Sequence, residues 1–454
     1  MLEVKSLKER LSYQEVLTYV NKHKMVLPEF HKMKSYYDNH NAIMFKRQLD
    51  TSKPCNRISH AYADYIVNSI TGYFMSANAV QYQFENEQMQ KIYDDISKYN
   101  DESQHNTELA MDESIYGVSC ELLYLDNDIQ VRFKKIDPKE VIIITDMTVE
   151  ENIIGAIRHF KVEVDTEEVE YVEYYTNDSI HYFYGDSEGK LLSQATVKEH
   201  FFGQVPINIY KNNADMCGDF MKIIPLLDAY DSIQSETADD FELFSNAIML
   251  VQGAMLCDEQ IKAIKDMRLL NFQEQGDAKY LYKDIPDTAL ENYKKRIVDD
   301  IHMFSQVPNM SDKEFGANLS GVALQYKLAG LEFKCSIKES FFKKGLLRRI
   351  ELIGNILGLL NGGENIIKNT QISFTRNVIN NDAEVIANAL QLSSILSKES
   401  TLQLLNKFII NVDDEMQKLD VEREENMTMF NSYGSEEFNQ TDDTEDEDVD
   451  DTDE

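Results

Sequence analysis

The chain has 454 residues, 43% hydrophobic and 10% aromatic, with a formal charge of −35. That length and composition are those of a folded protein of two to four domains with ample material for a core. Ser435 to Glu454 hold twelve carboxylates and no base, yet the rest still carries −23, which excludes tight DNA binding by counterion release as the main business of the surface.

From residue 5 to about 115 the spacing is helical. Ile58, Ala61, Tyr62, Tyr65, Ile66, Ile70 and Phe74 recur at intervals of three and four and place one apolar stripe on one helix face. Between Val118 and Tyr210 the pattern changes to short β-rich runs (121–125, 129–133, 141–145, 169–175, 180–184) separated by charged and Gly or Asn turns. Strands follow strands without helices between them, so an antiparallel meander is expected and a Rossmann unit is not.

Helical spacing returns over 219–251, with Pro225 near the start where its missing N–H costs nothing. If unbroken, that helix would reach about 48 Å. An insertion, 252–284, is expected to hold a short helix (Asp258 to Arg268) and a strand (Ala278 to Tyr282). A second helix starts at Pro286 and stops before Pro308, so two long helices flank a small folded tip, the shape of a stalk.

A polar segment, Asn309 to Gly321, leads to a helix from Val322 to about Leu360, in which Gly330, Gly345, Gly354 and Gly358 predict a bend. Two or three amphipathic helices are expected over 382–429, followed by a solvated acidic tail. The overall expectation is an α+β protein.

No spaced motif for common chemistry is found: GxGxxG, Walker A, HExxH and GxSxG are all missing. Gly316 to Gly321 has the glycine spacing of a phosphate loop, but Val322 stands where its lysine must be. Gly117-Val-Ser-Cys120 lacks the second glycine of a nucleophile elbow. The five cysteines are far apart and never in a CxxC pair, as in free thiols of a reducing compartment.

No two histidines have ligand spacing, so no metal or cofactor is expected. Asp239-Asp240, Asp299-Asp300 and Asp413-Asp414 are read as solvated faces or subunit contacts, because neighbours on a helix diverge by about 100°. The alternative is a Mg²⁺ site of a DNA-processing enzyme. Bases cluster at Lys262, Lys265 and Arg268, at Lys294, Lys295 and Arg296, and at Lys343, Lys344, Arg348 and Arg349. These are expected in ion pairs or solvent, and any that line a lumen would touch phosphates without reading bases. Residues 1–30 lack a signal peptide's apolar run, and Ile350 to Leu360 is about half a bilayer span. The expectation is a soluble protein made in the cytoplasm.

Four strings, in order along the chain, carry a resemblance. They are Asn56 to Met75; Val205 to Asn213 with Gly218-Asp-Phe220 and Ile224 to Asp231; Asp300 to Leu324; and Ser397 to Thr401 with Val412 to Glu415. Together they resemble portal proteins (head–tail connectors) of long-tailed phages of Gram-positive bacteria. The departures are Ala317 and Leu319, where the family favours a glycine and a small residue.

The resemblance implies a ring of usually twelve copies at one capsid vertex of the virion, passing double-stranded DNA without sequence specificity. Its partners would be the terminase large subunit, a head–tail adaptor, and the scaffolding and major capsid proteins, with no membrane and no catalysis. ATP hydrolysis would belong to the terminase. The implied layout is a wing (1–218), stem helix 1 (219–251), clip (252–284), stem helix 2 (285–307), tunnel loop (308–321), long wing helix and strand (322–381), helical crown (382–430) and acidic tail (431–454).

Ser311, Asp312, Lys313, Asn318 and Ser320 would be the DNA-facing loop residues, with Phe315 as a possible wing anchor. Lys262, Lys265 and Arg268 would meet partners at the clip, and Lys294, Lys295 and Arg296 would lie on the stem. A smaller ring adaptor or other assembly protein is the rival reading.

Overall fold

A computed structural model describes residues 2–245 (apart from 9, 49, 52, 77–78, 165–166 and 185–195), 248–252, 277–281, 287–310, 321–360, 370–377, 386, 389–405, 412 and 414–423. The chain divides into two units, Met1–Asn377 and Val378–Glu454.

The first unit opens with β1 (Leu2–Lys5) and α1 (Tyr13–Tyr37). Ser12 and Glu15 close a capping box at the start of α1, satisfying amides that have no partner within the helix. α2 (Tyr62–Phe74) realises the expected stripe: Ile66, Ile70 and Phe74 are fully buried. Residues 56–61 are not part of it, and Ile58 is partly exposed. Instead that stretch lies outside the helix, and its Asn56, Ile58 and His60 amides donate to side chains on a later helix. After β2 (Val80–Gln83) come α3 (Glu87–Tyr99) and α4 (Glu102–Tyr116).

The β region comprises β3 (Val118–Leu125), β4 (Val131–Ile136), β5 (Val141–Thr145), β6 (Ile153–Val164), β7 (Glu167–Tyr175), β8 (Ser179–Tyr184), β9 (Thr196–Glu199) and β10 (Ile207–Lys211). The expected meander is β5 to β9, antiparallel throughout. β1 joins its edge in parallel with β5, giving the order β1-β5-β6-β7-β8-β9. β3 and β4 belong to a separate sheet, β10-β3-β4. Cys120, Ile136, Ile143, Ala156 and Val205 pack together among residues of both sheets, while α1 covers the other side of the large sheet through Val16 and Val20.

α5 (Ile224–Ser245) follows a short 3₁₀ turn, Met221–Ile223. It is shorter than the expected 219–251 and spans about 33 Å. Ile248–Gln252 leave the helix to form β11, paired antiparallel with β12 (Asp277–Leu281), because this unbroken apolar run finds a strand partner in the second expected strand. The expected helix over 258–268 lies outside the described residues.

α6 (Asp287–Ser305) and the 40-residue α7 (Gly321–Leu360) match their expected positions, and β13 (Gln371–Phe374) pairs with β2. α7 is about 60 Å of helix, and Leu328, Leu331, Cys335, Phe342, Leu346, Ile353 and Ile356 mark its buried face. Within the second unit, α8 (Lys398–Leu404) is capped by Ser397, and residues 414–423 are helical. Among the described residues, Cys55, Cys120, Cys217 and Cys335 are free thiols. No described helix is long and apolar enough to cross a membrane.

Candidate functional site: the root of the helical hairpin

The buried face of α7 carries two charges, Lys338 and Arg349, eleven residues apart and therefore about three turns along one side. Arg349 is fully buried. Its Nη1 donates to Glu102 Oε1 at 2.7 Å and Asn106 Oδ1 at 2.9 Å, and its Nη2 lies 2.7 Å from Glu121 Oε1. The guanidinium carbon stands 4.6 Å from the Phe133 ring centre. Glu121 is also held by His105 Nε2 at 2.7 Å and accepts from the Tyr210 hydroxyl at 2.8 Å.

Burial alone would push the Glu121 carboxyl up, but Arg349 and His105 together hold it at about 2. Two carboxyl groups share one arginine in a buried charged network, in which Arg349 Nε and Nη2 have no hydrogen-bond partner among the described residues, Nη2 meeting Glu121 as an ion pair. It fastens α4, β3, β10 and α7 to one another.

The second charge serves the hairpin. Lys338 Nζ donates to Ser114 Oγ at 2.6 Å and to Asp219 Oδ2 at 3.4 Å. Burial raises the pKa of the nearby Glu113, both of whose oxygens lack hydrogen-bond partners, to about 8, against the pull of Lys338 3.8 Å away.

One turn back, Lys334 Nζ donates at 3.1 Å to two backbone carbonyls, those of Asp219 and Ser305. Asp219 precedes α5 and Ser305 ends α6, so one ammonium group ties both legs of the hairpin where they meet the body. On the outer side, Asp231 of α5 accepts from Asn41 Nδ2 at 2.6 Å and from the His60 amide at 3.0 Å, seating the helix on the segments before α2.

The segment that follows α6 is fixed as firmly. The Tyr65 hydroxyl donates to the Pro308 carbonyl at 2.8 Å and accepts from the Met310 amide at 3.2 Å. Tyr65, Tyr62, His60, His302, Val298 and Met310 line a groove of about 580 Å³ beside this anchor.

Of the residues singled out from the sequence, the stem bases divide. Lys294 is buried, with Nζ 3.1 Å from Glu291, whereas Lys295 and Arg296 are exposed, so the three do not form one patch. Lys262, Lys265 and Arg268, and Ser311, Asp312, Lys313, Asn318 and Ser320, lie outside the described residues, as does the acidic tail. Asp239 accepts from Asn56 N at 2.6 Å rather than standing open beside Asp240, and among the described residues no group of three potential ligands could hold a metal ion.

Sequence reasoning placed Arg349 in a basic cluster but missed its centrality, and it missed Lys334 and Lys338. The signal was present: Cys335, Lys338, Phe342, Arg349 and Ile353 share one helical face, and a base on an apolar face needs a buried partner.

Comparisons with known proteins agree along the chain. A family model described as "Phage portal protein, SPP1 Gp6-like" matches residues 17–429. The portal protein of Bacillus phage SPP1 is 24% identical over 416 residues, covering 86% of this chain and 80% of that protein. The portal protein of Clostridium phage phiCD119 is 26% identical over 393 residues, covering 78% of this chain and 84% of that protein.

Proposed function

This chain belongs to the SPP1 Gp6-like phage portal protein family, and from that premise we propose that its copies close into a ring, usually of twelve, through which the terminase motor packages double-stranded DNA. The protein is a phage portal, the connector of head to tail, and acts structurally. The match over 17–429 carries the reading, because it runs through the body, both legs of the hairpin and the long helix.

In this proposal the body up to about residue 218 is the wing, α5 and α6 are the stem, and 252–284 is the clip that meets terminase and then the adaptor through Lys262, Lys265 and Arg268. Residues 311–320 form the tunnel loop around DNA, with Ser311, Asp312, Lys313, Asn318 and Ser320 towards the duplex. Residues 382–430 are the crown. The ring sits at one capsid vertex, where scaffolding and major capsid proteins are its neighbours.

The hairpin root supports the stem assignment, since Lys334 joins its two legs. The Tyr65 anchor supports the loop assignment, since a loop that touches moving DNA needs a fixed base. No cofactor is invoked, because the work is mechanical. The acidic body suits a passage that must let a duplex slide.

Negative-stain microscopy and native mass measurement of the purified chain test the proposal. Rings with a through-channel and a stem are expected. A chain that stays monomeric under capsid-assembly conditions as well as in dilute solution overturns it.

A further inference from the structure

Beyond the stem and loop, the surface holds a concentration of exposed large apolar side chains on two neighbouring elements. On α7, Tyr326, Phe333 and Ile337 are 78%, 66% and 55% exposed, and on the last turn of α6 Met303 and Phe304 are 61% and 60% exposed. The α7 residues lie seven and four apart, within about 40° of one another around the helix. Gln306, two residues past Phe304, lies over Gly330, its Cβ 3.7 Å from where a Gly330 Cβ would stand, and Gly330 is one turn from Tyr326 and three residues from Phe333. The two sets therefore adjoin.

We infer that this patch is the apolar centre of the contact between neighbouring copies of this chain in the ring. The inference rests on the ring reading and assigns its surface. Five such side chains, between 55% and 78% exposed, present on the order of 600 Å² of largely apolar area. A soluble monomer's largest patch is about 300–600 Å² and usually functional, and a stable protein contact buries about 800 Å² per partner. The patch thus supplies most of one partner's share.

The same two elements hold the Lys334–Ser305 contact, so a neighbour seated here lies beside the hairpin root. Ring closure needs a head-to-tail contact, in which this patch meets a different surface of the next copy.

The test compares the full chain with Phe333→Glu and with Val149→Glu, a charge placed at a fully exposed valine on another turn. Native mass measurement over a concentration series is the readout, with circular dichroism to verify folding. Expected are rings for the wild type and Val149→Glu, and for Phe333→Glu a folded chain whose ring formation needs about tenfold or more higher concentration.

Should Phe333→Glu fail to fold, Phe333→Cys decides the matter. Its thiol should react with maleimide at least about tenfold more slowly in the ring than in the dissociated subunit, read at that peptide by mass spectrometry. Rings of unchanged affinity in Phe333→Glu, or equal labelling of Cys at 333 in ring and subunit, overturn the patch and leave the ring reading intact. A wild type that never forms rings overturns both.

Discussion

At the scale of single residues, the most consequential side chain is Arg349. Its two carboxylate partners sit on different elements, so removing the guanidinium leaves Glu102 and Glu121 buried near each other without their cation. Breaking such a pair costs about 3–5 kcal/mol. Arg349→Met is therefore expected to lower the unfolding free energy by about that amount, and Arg349→Lys to recover little because one ammonium cannot fork to both acids; thermal and urea melts measure both.

A second buried pair sets an acid limit. His23 Nδ1 and His159 Nε2 are 2.7 Å apart, so they share one proton, and burial lowers their pKa values to about 3 and about 4, Glu170 opposing the shift at His159. The unfolded chain takes up protons below its ordinary value of 6.5, while the folded chain refuses them until about pH 4 and then about pH 3. Their contribution is thus complete above pH 6.5 and is lost as pH falls from there. Between pH 7.5 and pH 5 the melting temperature should drop less for His159→Gln than for the wild type, and equal drops would refute the assignment. Neither network could be read from local sequence, since Arg349 and Glu102 are 247 positions apart.

At the scale of elements, helices were the legible part. α2, α6 and α7 follow from periodicity because each buries one side against a large core, and Pro308 marks a real end. The misses share a cause. β1 is four residues long and exists because β5 offers it an edge 140 positions away, which no local pattern reports. β11 carries apolar residues that continue the helical spacing of α5, and only pairing with β12 decides against helix.

The site was legible in outline, as two helices of a hairpin, and not in its fastenings. One fastening depends on a glycine: a Cβ on Gly345 would lie 2.3 Å from the Tyr210 ring, where α7 crosses β10. Gly345→Ala is expected to destabilise by about 1–3 kcal/mol or more through overpacking, despite alanine's better helix propensity. A melting temperature equal to the wild type's would show that the crossing can relax.

At the scale of the whole molecule, charge and assembly oppose each other. Each copy carries −35, so a ring gathers like charge and its subunits repel. Screening shortens that repulsion, the Debye length falling from about 30 Å at 0.01 M salt to about 8 Å at 0.15 M. The ring fraction measured by mass should therefore rise with salt over this range, the reverse of a protein held by phosphate contacts. Removal of residues 431–454 should shift the curve towards lower salt.

The Arg349 network also has a consequence for the order of events during synthesis. Glu102 and Glu121 leave the ribosome more than two hundred residues ahead of their cation, an interval of roughly 10–50 s at common elongation rates. Through that interval Glu102 and Glu121 lack the guanidinium that meets them in the finished fold. The native core is complete only once α7 has been made, because that helix supplies both the guanidinium and a buried apolar face.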